Sequence, residues 1–305
     1  MFKNAKFAQL DELNIGFEAL GELLSKAKYI DITEHQESSI GFVSPLSDDG
    51  TNMMLSIGKA HLIRLKLAEK KVPASAINDE VGKKIAKRKE NDPKYQPSKA
   101  ERTEMKEEIK HSLLPKVLPS YSYIDMYLDS DRGLFVVNTT SDNKWDIAQS
   151  RLKDILGENL SFSYFEADCD IEDSLTRWVN DWDMPVGFTG LEECRIKDTG
   201  VAKTEINYKR HDLESDQTIK AYLQTMKVIK LAMEKNDEVT FSIDGAMTLS
   251  GIKYLDMYKE KRKENLSGKT DEDTNAEALE QDADFAIMLE AFGKLIPSVV
   301  GMFKE

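Results

Sequence analysis

Residues 73–119 decide what the rest of the chain has to be. From Pro73, a residue that suits a helix start, PASAINDEVGKKIAKRKEN sets Ile77, Val81 and Ile85 at four-residue steps. That is one narrow apolar stripe on an otherwise charged helix. A second helix opens at Ser98, where SKAE has the spacing of a capping box: Ser98 accepts from the backbone and Glu101 reaches back. NDPKYQP joins the two. Helices this polar cannot be wrapped in a core, so they are expected to pair and project as a hairpin. The hairpin closes on KHSLLPKVLPSYS, an apolar knob of Leu113, Leu114, Val117 and Leu118 stiffened by Pro115 and Pro119 and carrying one cation, Lys116. An exposed knob of this kind asks for a surface to bury it.

The rest of the chain must then supply the body. FKNAKFAQL reads as a strand, and FEALGELLSKAK as a helix with Phe17, Leu20, Leu23 and Leu24 on one side. HLIRLKL alternates, Ile63, Leu65 and Leu67 on one face and Arg64 and Lys66 on the other, a half-exposed strand with a basic outer face. YSYIDMYL and LFVVNTT form strands around the turn DSDRG, WDIAQSRLKDILG a helix, LSFSYFEA a strand and IEDSLTRWVNDW a helix. CRIKD and VAKTEINYK read as paired strands, ESDQTIKAYLQ as a helix and MKVIKLAMEKNDEVTFSID as a strand pair. KRKENLSGKTDEDTN reads as a flexible stretch before a last helix from about Ala276 to Leu295, stopped by Pro297. The irregular order predicts α+β with mixed sheets. Four regions follow: an N-terminal α/β part (1–72), the hairpin finger (73–120), an α/β middle (121–200) and a C-terminal α/β part (201–305). LIRLKLAEKK and VIKLAMEKN are alike, but common strand composition accounts for that.

With 40% hydrophobic residues in 305, the chain can bury a sizeable core. Cys169 and Cys194 have no zinc-site spacing and are expected to be reduced thiols. No apolar run reaches the length of a membrane span, and the N-terminus lacks a signal peptide's apolar stretch, so a cytoplasmic protein is expected. The net charge of −13 excludes a protein that coats nucleic acid with its whole surface. The charge is nonetheless uneven. His61 to Lys116 holds 15 Lys/Arg against 9 Asp/Glu, Val117 to Gly200 holds 7 against 17, and Val201 to Lys230 holds 6 against 4.

No P-loop, GxGxxG, GxSxG or HExxH is present, and His35, His61, His111 and His211 are scattered, so no nucleophile, metal or cofactor is implied and a non-enzyme is expected. EADCDIED has carboxylates enough for Mg²⁺, which makes a metal-dependent nuclease an alternative, but Asp168, Asp170, Glu172 and Asp173 stand before a helix, where capping and the helix dipole favour acids. A second alternative is an acidic protein-interaction or DNA-mimic protein built on Val117 to Gly200. Candidate phosphate contacts are Lys83, Lys84, Lys87, Arg88 and Lys89 in the hairpin, Lys116 in the knob, and Lys209, Arg210 and His211 in KRHDL.

Seven pieces then occur in order along the chain: MFKNAKF, GFVSP (Gly41 to Pro45), KIAK (Lys84 to Lys87), HSLLPK (His111 to Lys116), LTRWV (Leu175 to Val179), KRHDL (Lys209 to Leu213) and DADFAIM (Asp282 to Met288). On these the chain resembles the recombination-associated protein RdgC family over nearly its whole length. The resemblance implies a horseshoe-shaped subunit that assembles as a ring-shaped homodimer, encircles double-stranded DNA without sequence preference and restrains RecA-mediated strand exchange, in the nucleoid. It also implies a role for the knob, at the tip of a finger that closes the ring, with Leu114, Val117 and Leu118 as the dimer gate. Leu118 stands where the family has an aromatic, Lys116 where it has arginine, and His211 where it has glutamine. Leucine buries less area than a ring, and lysine keeps the charge without the guanidinium fork.

Overall fold

The computed structural model describes residues 1–47, 50–200, 203–267 and 276–304. The elements run β1 (Asn4–Leu13), α1 (Phe17–Lys26), β2 (Ser38–Val43), β3 (Met54–Ile57), β4 (Ala60–Glu69), α2 (Ala74–Asn91), α3 (Lys99–Leu113), β5 (Ser120–Asp129), β6 (Leu134–Val137) and α4 (Asp142–Leu156). They continue with β7 (Leu160–Ser163), α5 (Ile171–Asp181), β8 (Phe188–Asp198), β9 (Glu205–Lys209), α6 (Gln217–Tyr222), β10 (Met226–Lys235), β11 (Val239–Asp244), β12 (Leu249–Tyr254), α7 (Asp256–Ser267) and α8 (Ala276–Gly301). The fold is α+β. Instead of mixed sheets, the described strands form one antiparallel sheet in the order β2-β4-β5-β6-β1-β12-β11-β10-β8-β9, with β3 beside β4 and β7 beside β1.

β1 joins the two halves: its residues Asn4 and Ala5 pair with β12, Lys6 to Gln9 with β6, and Gln9 to Leu13 with β7. The alternating burial of a strand explains how one strand serves two cores. Ala5 and Phe7 belong to a core shared with α5 and α8, while Ala8 and Leu10 face α1 and α4 on the other side. In α1, Leu20 and Leu24 are buried as the helical spacing predicts, but Phe17, in the first turn, is 57% exposed, with its ring 6.2 Å from that of His61 on β4.

The two halves share an element order. Strand, helix, strand and a three-strand meander appear as β1-α1-β2 with β4-β5-β6, and again as β7-α5-β8 with β10-β11-β12. The alike blocks LIRLKLAEKK and VIKLAMEKN fall on β4 and β10, the first strand of each meander. β4 lies between β2 and β5, and β10 between β8 and β11, so the two blocks have similar neighbours in the sheet. Between β10 and β11 the connection is a tight turn with Asn236 and Asp237 at positive φ; between β4 and β5 the helical hairpin stands in its place.

Three other expectations need correction. α8 runs through Pro297 to Gly301, since Leu295, Ile296, Val299 and Phe303 on both sides of the proline are buried in the core. The polar stretch is helical in its first part, α7, where Lys261 pairs with Glu290 and Arg262 with Glu280 and Asp284; residues 268–275 lie outside the described residues. VAKTEINYK is strand only from Glu205, residues 201–202 being outside the described residues, and LSFSYFEA only to Ser163.

The hairpin keeps a core of its own, Val81, Met105 and Ile109 packed with Ile77, Ile85, Tyr95 and Leu113. Pro73 is the N-cap of α2, and Ser98 makes the capping box with Glu101. Ser98→Ala is expected to cost the hairpin about 1 kcal/mol. Amide exchange should quicken in the first turn of α3 and stay unchanged in β4 and β5; uniform change across all three would contradict a separately held hairpin.

Candidate nucleic-acid interface

A helical hairpin ends at its loop, and here that loop is residues 92–98 between α2 and α3. The knob, expected at the tip, lies instead at the foot: Leu114 to Lys116 form a 3-10 turn, and Ser120, two residues after Leu118, already donates to the Glu69 carbonyl across the hairpin's base. Leu114 is buried in its own chain, Val117 is half-buried, and Leu118 is 88% exposed. Of the three gate residues only Leu118 is presented outward, with the exposed Lys116 beside it. The foot is tied to the body by a Lys110–Glu37 ion pair at 2.7 Å, which raises the Lys110 pKa, and by the stacked rings of His111 and His35.

The hairpin cations divide into two groups. Lys83 pairs with Glu80 at 2.7 Å, Lys84 with Glu108 at 2.5 Å, and Arg88 donates to the Tyr95 hydroxyl while its guanidinium lies over that ring. Lys87 and Lys89 are exposed and form no ion pair with the described residues. Lys116 is likewise exposed and forms no ion pair with the described residues.

The second basic site is the end of β9. Lys209 and Arg210 are exposed, and Arg210 sits at φ 52, a conformation that turns the chain sharply out of the sheet. His211 turns back: its Nε2 lies 2.7 Å from Asp216, the N-cap of α6, and its amide donates to Glu192. That contact holds the Asp216 carboxyl below its usual range. His211 thus braces the turn that presents Lys209 and Arg210.

Within one subunit the two basic sites are not brought together. β5 and β9 are separated by seven strand steps. At about 4.8 Å per step that is roughly 34 Å along the sheet.

Part of the acidic stretch is neutralised by ion pairs. Asp142 pairs with Lys6, Asp125 with Arg64, and Asp168 with Lys304, all from outside Val117 to Gly200, and the buried Asp129 holds Arg132. At EADCDIED, Asp170 is the N-cap of α5 and Lys227 bridges Asp170 and Asp173, so these carboxylates serve the capping role. Among the described residues no three His, Cys, Asp or Glu are grouped to hold a metal. His61 is bound to the Ser56 hydroxyl at 2.8 Å, and burial lowers its pKa.

Both cysteines are free thiols. Burial pushes the Cys194 thiol up to about 12, whereas Cys169 is exposed. Iodoacetamide at pH 8 is expected to label Cys169 in the folded protein and Cys194 only after denaturation. Equal labelling by mass spectrometry would contradict the buried position of Cys194.

On β5, Tyr121 and Tyr123 point away from Ile124, Met126 and Leu128, onto a face of β4 and β5 carrying Arg64 and Lys66. Lys66 Nζ lies 4.9 Å from the Tyr29 ring and 5.0 Å from the Tyr121 ring, and Arg64 lies 5.7 Å from the Tyr123 ring. The signal was the alternation in SYSYIDM, which sets tyrosine on one face and core residues on the other.

The RdgC family model, described as "Putative exonuclease, RdgC", matches residues 1–305. The chain belongs to the RdgC family. A recombination-associated protein RdgC from Dechloromonas aromatica is 28% identical over 304 residues, covering 98% of this chain and 96% of that protein. The protein of the same name from Proteus mirabilis is 26% identical over 301 residues, with 98% and 96% covered, and that from Pseudoalteromonas translucida 29% over 248 residues, with 79% and 80% covered. Family membership accounts for the ordered pieces from MFKNAKF to DADFAIM. Among the described residues no helix is long and apolar enough to cross a membrane.

Proposed function

We propose that this RdgC-family protein binds double-stranded DNA without sequence preference, encircling it as a ring-shaped homodimer, and restrains RecA-mediated recombination in the nucleoid. The observation that carries this reading is the placement of its exposed cations. A chain of net charge −13 exposes Lys87 and Lys89 on the hairpin, Lys116 at its foot, and Lys209 and Arg210 at the end of β9, without ion pairs among the described residues. The hairpin foot and the end of β9 stand seven strand steps apart in the sheet order, so the two groups would meet separate stretches of phosphate. Phosphate contacts position a protein without specifying sequence. The exposed Leu118 gives a second copy an apolar anchor, and closure replaces tight contact by topology: a ring stays on the duplex even where each phosphate is held weakly.

Gel shifts with linear and closed circular duplex, together with the molecular mass in solution, test this. A dimer that binds linear duplex and discriminates against the closed circle supports encirclement; a monomer that ignores DNA rejects the whole reading. The family's description as an exonuclease favours a second reading. Asp170 and Asp173 are already held by Lys227, which weighs against the carboxylates nearest to a metal site. Release of nucleotides from an end-labelled duplex with Mg²⁺ would establish the exonuclease.

A further inference from the structure

We propose that the outer edge of β9 is a seam between two copies of this chain, joined as an antiparallel strand pair about Asn207. The proposal rests on the homodimer of the proposed function and names its contact between the bodies. Of the two edge strands of the sheet, β2 is covered: residues 27–29 run beside it, the Tyr29 amide donating to the Phe42 carbonyl at 2.8 Å and the Phe42 amide to the Ala27 carbonyl at 3.0 Å. Beyond β9 no described strand follows. Such an open row of amides and carbonyls is a template for another strand.

The edge is complementary to itself. Hydrogen-bonded pairs alternate along an antiparallel ladder, and the Asp198 amide donates to the Thr204 carbonyl at 2.9 Å. In the unbroken register from Glu205 to Lys209, Ile206 and Tyr208 therefore turn their backbone groups to β8, while Glu205, Asn207 and Lys209 turn theirs outward. A second copy running antiparallel, with Asn207 opposite the partner's Asn207, sets Glu205 opposite the partner's Lys209 and Ile206 opposite the partner's Tyr208. Every outward amide and carbonyl of the strand then has a partner. The side chains agree with this register on both faces. Glu205, Asn207 and Lys209 are exposed, Lys197 on β8 pairs with Glu205 at 3.1 Å, and Glu193 lies opposite Lys209. Across the seam the row Lys197, Glu205, the partner's Lys209 and the partner's Glu193 alternates in sign. On the other face Ile206 and Tyr208 are half-buried against the core of Cys194 and Ile196, and the seam adds a β-branched and aromatic pair on each side of the axis. A slip of two residues either way sets Asn207 against Glu205 or Lys209 and breaks both ion pairs. Pairing about a twofold axis uses the free edge of both copies, so assembly stops at a dimer. The same axis places the turns at Arg210 of the two copies on either side of one seam.

Cysteines placed in the full chain, with the exposed Cys169 replaced by serine, test the register by mild oxidation. Residues opposite each other in a hydrogen-bonded pair have Cα atoms about 5.5 Å apart, within reach of a disulfide. Asn207→Cys is expected to run mainly as a covalent dimer on a non-reducing gel. Glu205→Cys alone should not cross-link, because the partner's equivalent stands roughly 14 Å away along the strand, whereas the Glu205→Cys, Lys209→Cys double variant should. In a Leu118→Ser background, Lys209→Glu faces glutamate on both sides and should shift the mass in solution from dimer to monomer. A wild type of dimeric mass whose Asn207→Cys form does not cross-link, a Glu205→Cys form that cross-links as readily, or a dimer that survives Lys209→Glu in that background overturns the seam and leaves the homodimer standing. A wild type of monomeric mass removes the homodimer and the seam together.

Discussion

Leu118→Ser is expected to leave a folded protein in which the proposed ring no longer closes. Leu118 is 88% exposed and makes no contribution to its own core, so its replacement by a smaller polar residue leaves the fold intact. In a twofold dimer the same contact occurs twice, and each leucine fully removed from water contributes roughly 1.5 to 3 kcal/mol. A second interface between the bodies is expected to keep the dimer together. Short duplexes should bind nearly as before, while on long ones the protein should slide off and fail to block strand exchange. Leu118→Phe, which places a larger aromatic at this position, should strengthen closure where the receiving pocket has room. Dimer mass, duplex affinity and inhibition of strand exchange decide the matter; wild-type behaviour of Leu118→Ser in all three would reduce the knob to a helix stop. Leu114 is no substitute in this test. It is buried in its own chain, and a polar residue there would damage the foot of the hairpin directly.

The Lys209→Ala, Arg210→Ala double variant is expected to weaken binding to every duplex alike. Each phosphate contact releases about one counterion, so the slope of log affinity against log salt should fall by about 2 for each subunit in contact. Loss that depends on the duplex sequence would reveal base readout and contradict the mechanism. In the hairpin the effect should follow pairing. Lys87→Ala and Lys89→Ala should cost more than Lys83→Ala and Lys84→Ala, because the latter two lysines already neutralise Glu80 and Glu108. The reverse order would mean that those ion pairs open when DNA binds.

Several elements of this fold are set by short-range rules. The capping box at Ser98, the stripe Ile77, Val81 and Ile85, and the alternation in HLIRLKL rest on residues within one or two turns of each other, and all three appear as expected. Acids before IEDSLTRWV also behaved locally, with Asp170 as an N-cap. Pro297 shows where such rules yield. A helix interior does not favour proline, yet burial of Leu295, Ile296, Val299 and Phe303 outweighs the lost hydrogen bond. Charge was the least legible property. The excess of acid from Val117 to Gly200 is a sum along the chain, and Lys6, Arg64, Lys227 and Lys304 cancel parts of it from distant positions.

By itself the sequence determined the α+β class, the projecting hairpin and the family, because each is written in short-range spacing or in ordered motifs. Only the tertiary structure decided that all described strands join one antiparallel sheet, with β1 bridging its halves, since strand pairing is a long-range choice that period-2 patterns leave open. It also decided that the knob sits at the foot with Leu118 alone outward, that His211 faces Asp216, and that Tyr121 and Tyr123 lie uncovered. Exposure depends on what packs against a residue, and those neighbours come from parts of the chain far away in sequence.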